Sequence, residues 1–367
     1  MNILINTGHP AQIHNFRELK VELEGKGHKV FWMASDKEIS KYLLDCYNIN
    51  YTLLKRPGKG FVNKFLQLIR NSYQVWGFIR KNKIELALSR VSPYISLGCF
   101  FSSCKHFAMT DTETAGFYDK FFGFFVTSLF TAKSFNRNLR KDQIRFNGNI
   151  ELFYLHPNRF SPMPQSDVKK MLGIKEDEEY IIMRFVSWDA YHDKGLTGFT
   201  DENKIKAVKQ YSQYAKVFIS AENELPSELE SYRISIPPER IHDVLAHATL
   251  FFGESATMAS ESAVLGTAAI YLNENWFGST DEEAQFRLLY PYKECSRDQF
   301  SAIEKGLELL KDPLLKEKAQ ENRKKFLNGK IDPTAFLVWF IENYPNSAKV
   351  MKENPDYQYK FAYRNEV

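Results

Sequence analysis

Apolar and polar positions alternate along this chain in two rhythms. The uninterrupted run Ile3-Leu4-Ile5 gives way to a polar loop, Asn6 to Gln12. Apolar residues then recur at helical spacing through Ile13, Phe16, Leu19, Val21 and Leu23 until Gly25-Lys26-Gly27 stops them, and a second run opens at Lys29-Val30-Phe31-Trp32. Strand, loop, helix and strand within about 30 residues form a βαβ unit, which predicts a parallel sheet. The alternation continues through Glu85-Leu86-Ala87-Leu88 and His106-Phe107-Ala108-Met109 towards Asn147-Gly148-Asn149. A proline-bearing stretch from His156-Pro157-Asn158 to Pro162-Met163-Pro164 marks a boundary. Beyond it Tyr180–Phe185 restarts the pattern, with further strands expected at Lys216–Ile219, Leu250–Phe252 and Ala268–Leu272. Helices are expected over 201–214, 241–246, 258–265, 301–310 and 333–343.

The fold class is therefore α/β, with two doubly wound domains of Rossmann type. The first is expected over 1–157, the second over 158–340, and 341–367 form a tail after a helix that crosses back. Such domains bind ligands at the carboxyl ends of their strands, here in a cleft between them, so function is sought in strand-to-helix loops. The 367 residues suffice for two cores, and 44% hydrophobic with 26% charged content excludes a disordered or fibrous chain. The longest apolar run, Phe121 to Ala132, is about half the roughly 20 residues of a membrane-spanning helix. Met1 leads into Ile3 without the features of a signal peptide, so a cytoplasmic location is expected, with association at the inner membrane face left open. Cys46, Cys99, Cys104 and Cys295 show neither C-x-x-C spacing nor clustering with histidine, which predicts reduced thiols and no metal site.

The net charge of +4 conceals an asymmetry. Residues 1–155 hold 22 Lys+Arg against 12 Asp+Glu, and the remainder holds 27 against 33. From Lys55 to Lys83 eight cations meet no acid, interleaved with Phe61, Phe65, Leu68, Ile69, Tyr73, Trp76, Phe78 and Ile79. This pattern suits peripheral contact with an anionic membrane or an anionic acceptor, or else an amphipathic helix with a solvated basic face. No recognition motif accompanies the charge, so nucleic acid is not expected as a partner.

The richest loop follows Leu250-Phe251-Phe252. Gly253, Glu254, Ser255, Ala256 and Thr257 deliver small hydroxyl residues to a helix start, where backbone N–H groups and the helix dipole favour a phosphate, and Glu261 follows one to two turns later. The alternative is a simple helix cap with Glu261 in solvent. The stretch resembles the nucleotide-sugar signature of the GT-B superfamily, with Leu265-Gly266 retained and the proline of its exit replaced. That resemblance implies that Ser255, Ala256 and Thr257 take a diphosphate and Glu261 the ribose hydroxyls.

Thr7-Gly8-His9-Pro10-Ala11-Gln12-Ile13-His14 resembles the first loop of non-hydrolysing UDP-N-acetylglucosamine 2-epimerases, with histidines in place of arginine and lysine. Asn147-Gly148-Asn149 resembles the Gly-Asn that closes their first domain. Several phrases together resemble domain of unknown function family 354, a GT-B group. They are Gly8-His9-Pro10-Ala11, Thr110-Asp111-Thr112-Glu113, Tyr154-Leu155-His156-Pro157, Arg184 to Asp193 and Gly253 to Met258.

His9 or His14 could take a proton from an acceptor hydroxyl, as inverting glycosyl transfer requires, or His9 packs on Pro10 while His14 caps the helix. Asp111 and Glu113 could act as base or orient a histidine, or belong to a helix cap. The epimerases carry carboxylates in this region; Asp111 matches one, but a second carboxylate with its following arginine has no counterpart. Arg184, Ser187, Trp188, His192 and Asp193 lie where the epimerases have a His-Arg motif near the phosphates. Arg184 or His192 could balance diphosphate charge and Trp188 or Tyr191 could stack, or an Arg–Asp pair holds the loop. His242 and His247 are expected in surface or domain packing.

The expected function is metal-independent and cofactor-free transfer of a sugar from a nucleotide-sugar donor, UDP-linked by the resemblance, to a glycan or lipid-linked acceptor in surface polysaccharide biosynthesis. The alternatives are a UDP-sugar 2-epimerase and a non-catalytic nucleotide-sugar-binding protein.

Overall fold

The structure is a computed structural model. It describes residues 1–55, 58, 60–188, 198–275 and 277–363, without the side chains of 61 and 115–118. His192, Asp193 and Tyr191 lie outside the described residues.

Two compact units divide the chain, Met1–Arg159 with Gly329–Tyr363 and Phe160–Asn328. The first contains β1 (Asn2–Thr7), β2 (Lys29–Ser35), β3 (Tyr51–Leu54), β4 (Leu86–Arg90), β5 (Lys105–Met109), β6 (Ser128–Ala132) and β7 (Ile144–Phe146). Their order is β3-β2-β1-β4-β5-β6-β7, and every pairing is parallel. Short unbroken apolar runs such as Ile3-Leu4-Ile5 suit these strands because helices cover both faces of a parallel sheet, and all three residues are buried. The helix Pro10–Gly25 packs Ile13, Phe16, Leu19 and Leu23 inward. Val21, expected on the same face, is 60% exposed because it lies between Leu19 and Leu23 on the 3.6-residue turn. His106 is buried between Ser89 Oγ, 2.8 Å from its Nε2, and Ser96 Oγ; burial pushes its pKa down to about 3.

The segment 329–363 belongs to the first unit. Thr334 Oγ1 donates to the Phe153 carbonyl at 2.8 Å, Asp332 pairs with Arg159 at 2.8 Å, and the Phe340 ring meets Phe130 and Phe107 at centroid distances of 4.9 and 5.4 Å. The return to the first unit thus begins at Gly329, before the position 341 assigned to the tail from sequence. The helix Pro333–Glu342 is apolar on nearly every side and completes the first unit's core.

The second unit contains β8 (Tyr180–Phe185), β9 (Lys216–Ala221), β10 (Leu250–Gly253), β11 (Ala269–Leu272) and β12 (Leu289–Tyr292), ordered β12-β11-β10-β8-β9 and all parallel. In each sheet the chain winds outward in one direction and then restarts in the other. The reversal falls between β1 and β4 in the first unit and between β8 and β10 in the second. Loops diverge at such a switch point and leave a crevice at the carboxyl ends of the strands.

Candidate functional site

Both crevices are lined by residues the sequence singles out. In the second unit β10 ends at Gly253, paired in register with Arg184 of β8. A Cβ on Gly253 would stand 2.3 Å from the Arg184 carbonyl oxygen, so only glycine lets the two strands meet here. The chain then turns at Ser255 into the helix Ala256–Leu265. Ser255 is its N-cap, and its hydroxyl accepts from the Met258 N–H at 3.3 Å. Ala256 and Thr257 occupy the first turn, whose N–H groups have no intrahelical acceptor and carry the positive end of the helix dipole. The first turn contains no acidic residue, so nothing fixed there competes with an anion. Gly266 ends the helix in the left-handed conformation at φ +83°.

Glu254 has a different role from that expected. It is 1% exposed, and its carboxylate accepts from the Val186 N–H at 2.9 Å, the Phe199 N–H at 2.6 Å and Trp188 Nε1 at 3.2 Å. Burial raises its pKa against the lowering effect of these bonds. Its oxygens are committed to holding the chain on either side of 189–197, and Gly198 lies so close that a Cβ would stand 2.0 Å from Glu254 Oε1. Asn273 fastens the same turn through the Glu254 carbonyl at 3.0 Å.

Arg184 donates to Ser220 Oγ at 2.7 Å and pairs with Glu222, whose carboxylate also accepts from the Ser187 N–H at 3.2 Å. Among the described residues its charge is thus met by a glutamate, and the aspartate considered from sequence lies outside them. Burial pushes the Glu222 pKa up, but Arg184 and Ser187 outweigh it and hold the carboxyl below its usual range. Glu261 does not face solvent. It is buried in a 3.0 Å pair with His242 Nε2, and the Phe160 ring stands edge-on to that imidazole. Of the surface or domain packing expected for them, His242 takes the latter, buried inside the second unit beside Glu261, while His247 bonds the Met163 carbonyl at 2.7 Å.

In the first unit the two histidines exchange the structural roles expected of them. His9 is the N-cap of Pro10–Gly25, its Nδ1 accepting from the Ala11 N–H at 3.3 Å. His14 is buried one turn later between Tyr47 and Tyr154, with ring centroids 5.9 and 5.6 Å away and the Tyr47 hydroxyl 3.5 Å from Nδ1. At the end of β4, Arg90 forms an ion pair with Asp111, which follows β5. Burial lowers the Arg90 pKa, opposed by the charges of Glu151 and Asp119 and by Tyr154. Asp119 accepts from the Thr110 hydroxyl, and burial raises its pKa against Thr110, Arg90 and Arg137. Arg137 donates to the backbone carbonyl of Glu113, itself largely buried. His14, Tyr154, Arg90, Asp111 and Asp119 thus form one connected neighbourhood at the first unit's switch point. Sequence reasoning passed over Arg90 and Asp119. The signal for Arg90 was a lone cation closing the apolar strand Leu86-Ala87-Leu88.

Among the described residues no group of three or more His, Cys, Asp or Glu is placed to hold a metal, the four cysteines are free, and no helix is long and apolar enough to cross a membrane.

A sequence model of the family described as Protein of unknown function (DUF354) matches residues 1–281. The chain belongs to this family. No curated protein matches the DUF354 chain in sequence. Its fold is that of GT-B proteins. The UDP-GlcNAc 2-epimerase of Neisseria meningitidis, solved bound to UDP-GlcNAc, superposes with a TM-score of 0.66 at 14% identity, covering 97% of this chain and 99% of that one. The MnaA–UDP co-structure of S. aureus gives 0.65 at 12%, covering 95% and 98%. The spinosyn rhamnosyltransferase SpnG, complexed with thymidine diphosphate, gives 0.57 at 12%, covering 94% and 100%.

Proposed function

We propose that this DUF354 protein transfers a sugar from a UDP-linked donor to a glycan or lipid-linked acceptor in surface polysaccharide assembly. The observation that carries the reading is the helix Ala256–Leu265, opened by Ser255 directly after β10 at a switch point, with an acid-free first turn. A diphosphate there meets N–H donors and the positive end of a helix without a metal ion. Ser255, Ala256 and Thr257 take the diphosphate, and Glu261, oriented by His242, takes the ribose hydroxyls. Trp188 offers an aromatic face. Arg184 contributes charge only by sharing its guanidinium with Glu222, so part of the leaving-group stabilisation is assigned to His192. In the first unit His9, His14 or Asp111 accepts the proton of the acceptor hydroxyl, and Arg90 positions the Asp111 carboxylate.

The likeness to structures holding UDP, UDP-GlcNAc and thymidine diphosphate supports a nucleoside diphosphate as the shared ligand chemistry. The test is a thermal-shift screen of UDP, GDP, CMP, ADP and dTDP and their sugars on wild type and Glu261→Gln. A UDP-selective shift that the variant loses supports the assignment, and no shift with any nucleotide sinks it.

The acidic group of Asp111 and the buried Asp119 around Arg90 favours one second reading, a UDP-sugar 2-epimerase. Incubation with a UDP-sugar and no acceptor separates the two, since an epimerised sugar in the product eliminates transfer.

A further inference from the structure

The helix Phe61–Asn82 carries two features its packing does not use. Val62, Phe65, Leu66, Ile69 and Tyr73 are all more than half exposed and fall within an arc of about 100° over about 16 Å of helix. Asn71, Val75 and Ile79 occupy the opposite side and are buried, so the helix turns its inner face to the protein and presents an apolar stripe outward. An amphipathic surface helix turns polar residues outward instead.

The stripe continues onto neighbouring elements. Ile69, Tyr73 and Trp76 share an apolar cavity of about 510 Å³ with Leu97 and Phe101. Phe101 meets Phe100 at 5.3 Å between ring centroids, and Phe100 meets Phe125 at 5.3 Å. Phe121 and Phe124 join Phe125 at 5.7 and 5.6 Å, and Phe124 is 79% exposed. Three successive segments of the first unit thus form one exposed aromatic surface, larger than the scattered apolar residues normal for a soluble protein.

Charge identifies what covers it. The helix has no acidic residue. Lys64, Arg70, Arg80, Lys81 and Lys83 are exposed, and no ion pair joins Arg70, Arg80, Lys81 or Lys83 to an acid among the described residues. Arg80 stands over the Trp76 ring at 5.0 Å and continues the apolar stripe, while Arg70 and Lys81 flank it on one side. Aromatic side chains ringed by unopposed cations match the interfacial region of an anionic bilayer, where rings enter the headgroup boundary and Lys and Arg meet phosphates. A second copy of this chain would bring its own cations against these.

We propose that this surface is a membrane-docking face which seats the first unit on a bilayer containing anionic phospholipid.

Co-sedimentation of the full chain with vesicles of phosphatidylcholine alone and of phosphatidylcholine mixed with phosphatidylglycerol tests it. Binding is expected to the mixed vesicles and to weaken strongly from about 0.1 M to about 1 M salt as screening shortens. Arg70→Gln, Arg80→Gln and Lys81→Gln together are expected to weaken binding roughly 100-fold, at about fivefold per cation. Phe65→Ser, Ile69→Ser and Tyr73→Ser together should weaken it about tenfold or more with unchanged circular dichroism, since all three side chains are exposed. The wild-type salt titration stands even where a variant fails to fold. No binding to either vesicle, or equal salt-insensitive binding to both, overturns the proposal. So does a dimer in sedimentation velocity that the apolar variant dissociates, which would assign the surface to a second copy.

Discussion

Replacing Glu254 by alanine removes the acceptor for the Val186 N–H, the Phe199 N–H and the Trp188 indole at once. A buried donor left unmade costs about 1–3 kcal/mol, so three would cost roughly 3–9 kcal/mol if nothing relaxed. Two effects reduce this. The carboxylate is buried at an ionisation cost, visible in its raised pKa, and its removal returns that cost. A water molecule can also enter the space and accept from one or two of the donors. A net loss of about 2–4 kcal/mol is expected for Glu254→Ala, and about 1–2 kcal/mol for Glu254→Gln, which keeps one acceptor oxygen but turns an NH2 group towards a donor. Urea unfolding followed by tryptophan fluorescence reads both values, taken from the transition of the second unit. The pH dependence has a definite sign. A carboxyl whose folded pKa lies above its unfolded value of 4.5 binds more protons in the folded state, so its contribution to stability falls as pH rises through that window. The wild type should therefore lose stability relative to Glu254→Gln on going from pH 4.5 to neutrality. If Glu254→Ala unfolds within about 0.5 kcal/mol of wild type while nucleotide affinity collapses, Glu254 is a ligand group and the reasoning is refuted.

Gly253→Ala places a methyl 2.3 Å from the Arg184 carbonyl between two core strands, and a loss of about 3 kcal/mol or more is expected in the same unfolding assay. Ser255→Ala removes the cap of the helix Ala256–Leu265 and should cost about 1 kcal/mol; calorimetric titration with UDP should show weakened binding as well, and unchanged affinity would detach the cap from the ligand. His242→Ala leaves Glu261 buried without that partner, and a loss of about 3 kcal/mol is expected. Pairing the change with Glu261→Gln should recover part of it, which a double-mutant cycle measures. His106, neutral in the fold with a pKa of about 3, makes the unfolded state the better proton binder. Stability should fall as pH drops from about 6.5 towards 3, and His106→Gln should flatten that fall in acid-unfolding curves.

The sheets were legible in proportion to their burial. Ile3-Leu4-Ile5 and Tyr180 to Met183 are covered on both faces, so their sequences are unbroken apolar runs that declare themselves. β3 and β12 lie at sheet edges, carry half-buried residues and in β12 a proline, and gave no such run. β6 was hidden because Phe121 to Ala132 runs apolar across the end of the helix Gly116–Gly123 and into the strand. The loops at the switch points were found by their small hydroxyl residues and charges. The Glu261–His242 pair and the hold of Glu254 on Phe199 join residues 19 and 55 positions apart, and local pattern contains nothing about such partners. The same limit concealed the Arg90–Asp111 contact, which depends on β4 and β5 lying side by side.

The first unit takes both ends of the described chain, with Gly329–Tyr363 packed against Met1–Arg159. During synthesis the ribosome therefore delivers the second unit whole before the first can close. Until Pro333–Glu342 emerges, the ring surfaces of Phe107 and Phe130 that it covers face solvent or a chaperone, and the Phe153 carbonyl lacks its Thr334 donor. The second unit can fold as a continuous segment while the first waits, so the usual order of maturation along a nascent chain is reversed. A stalled or shortened message that ends after Asn328 would release a finished second unit joined to an open, apolar first one.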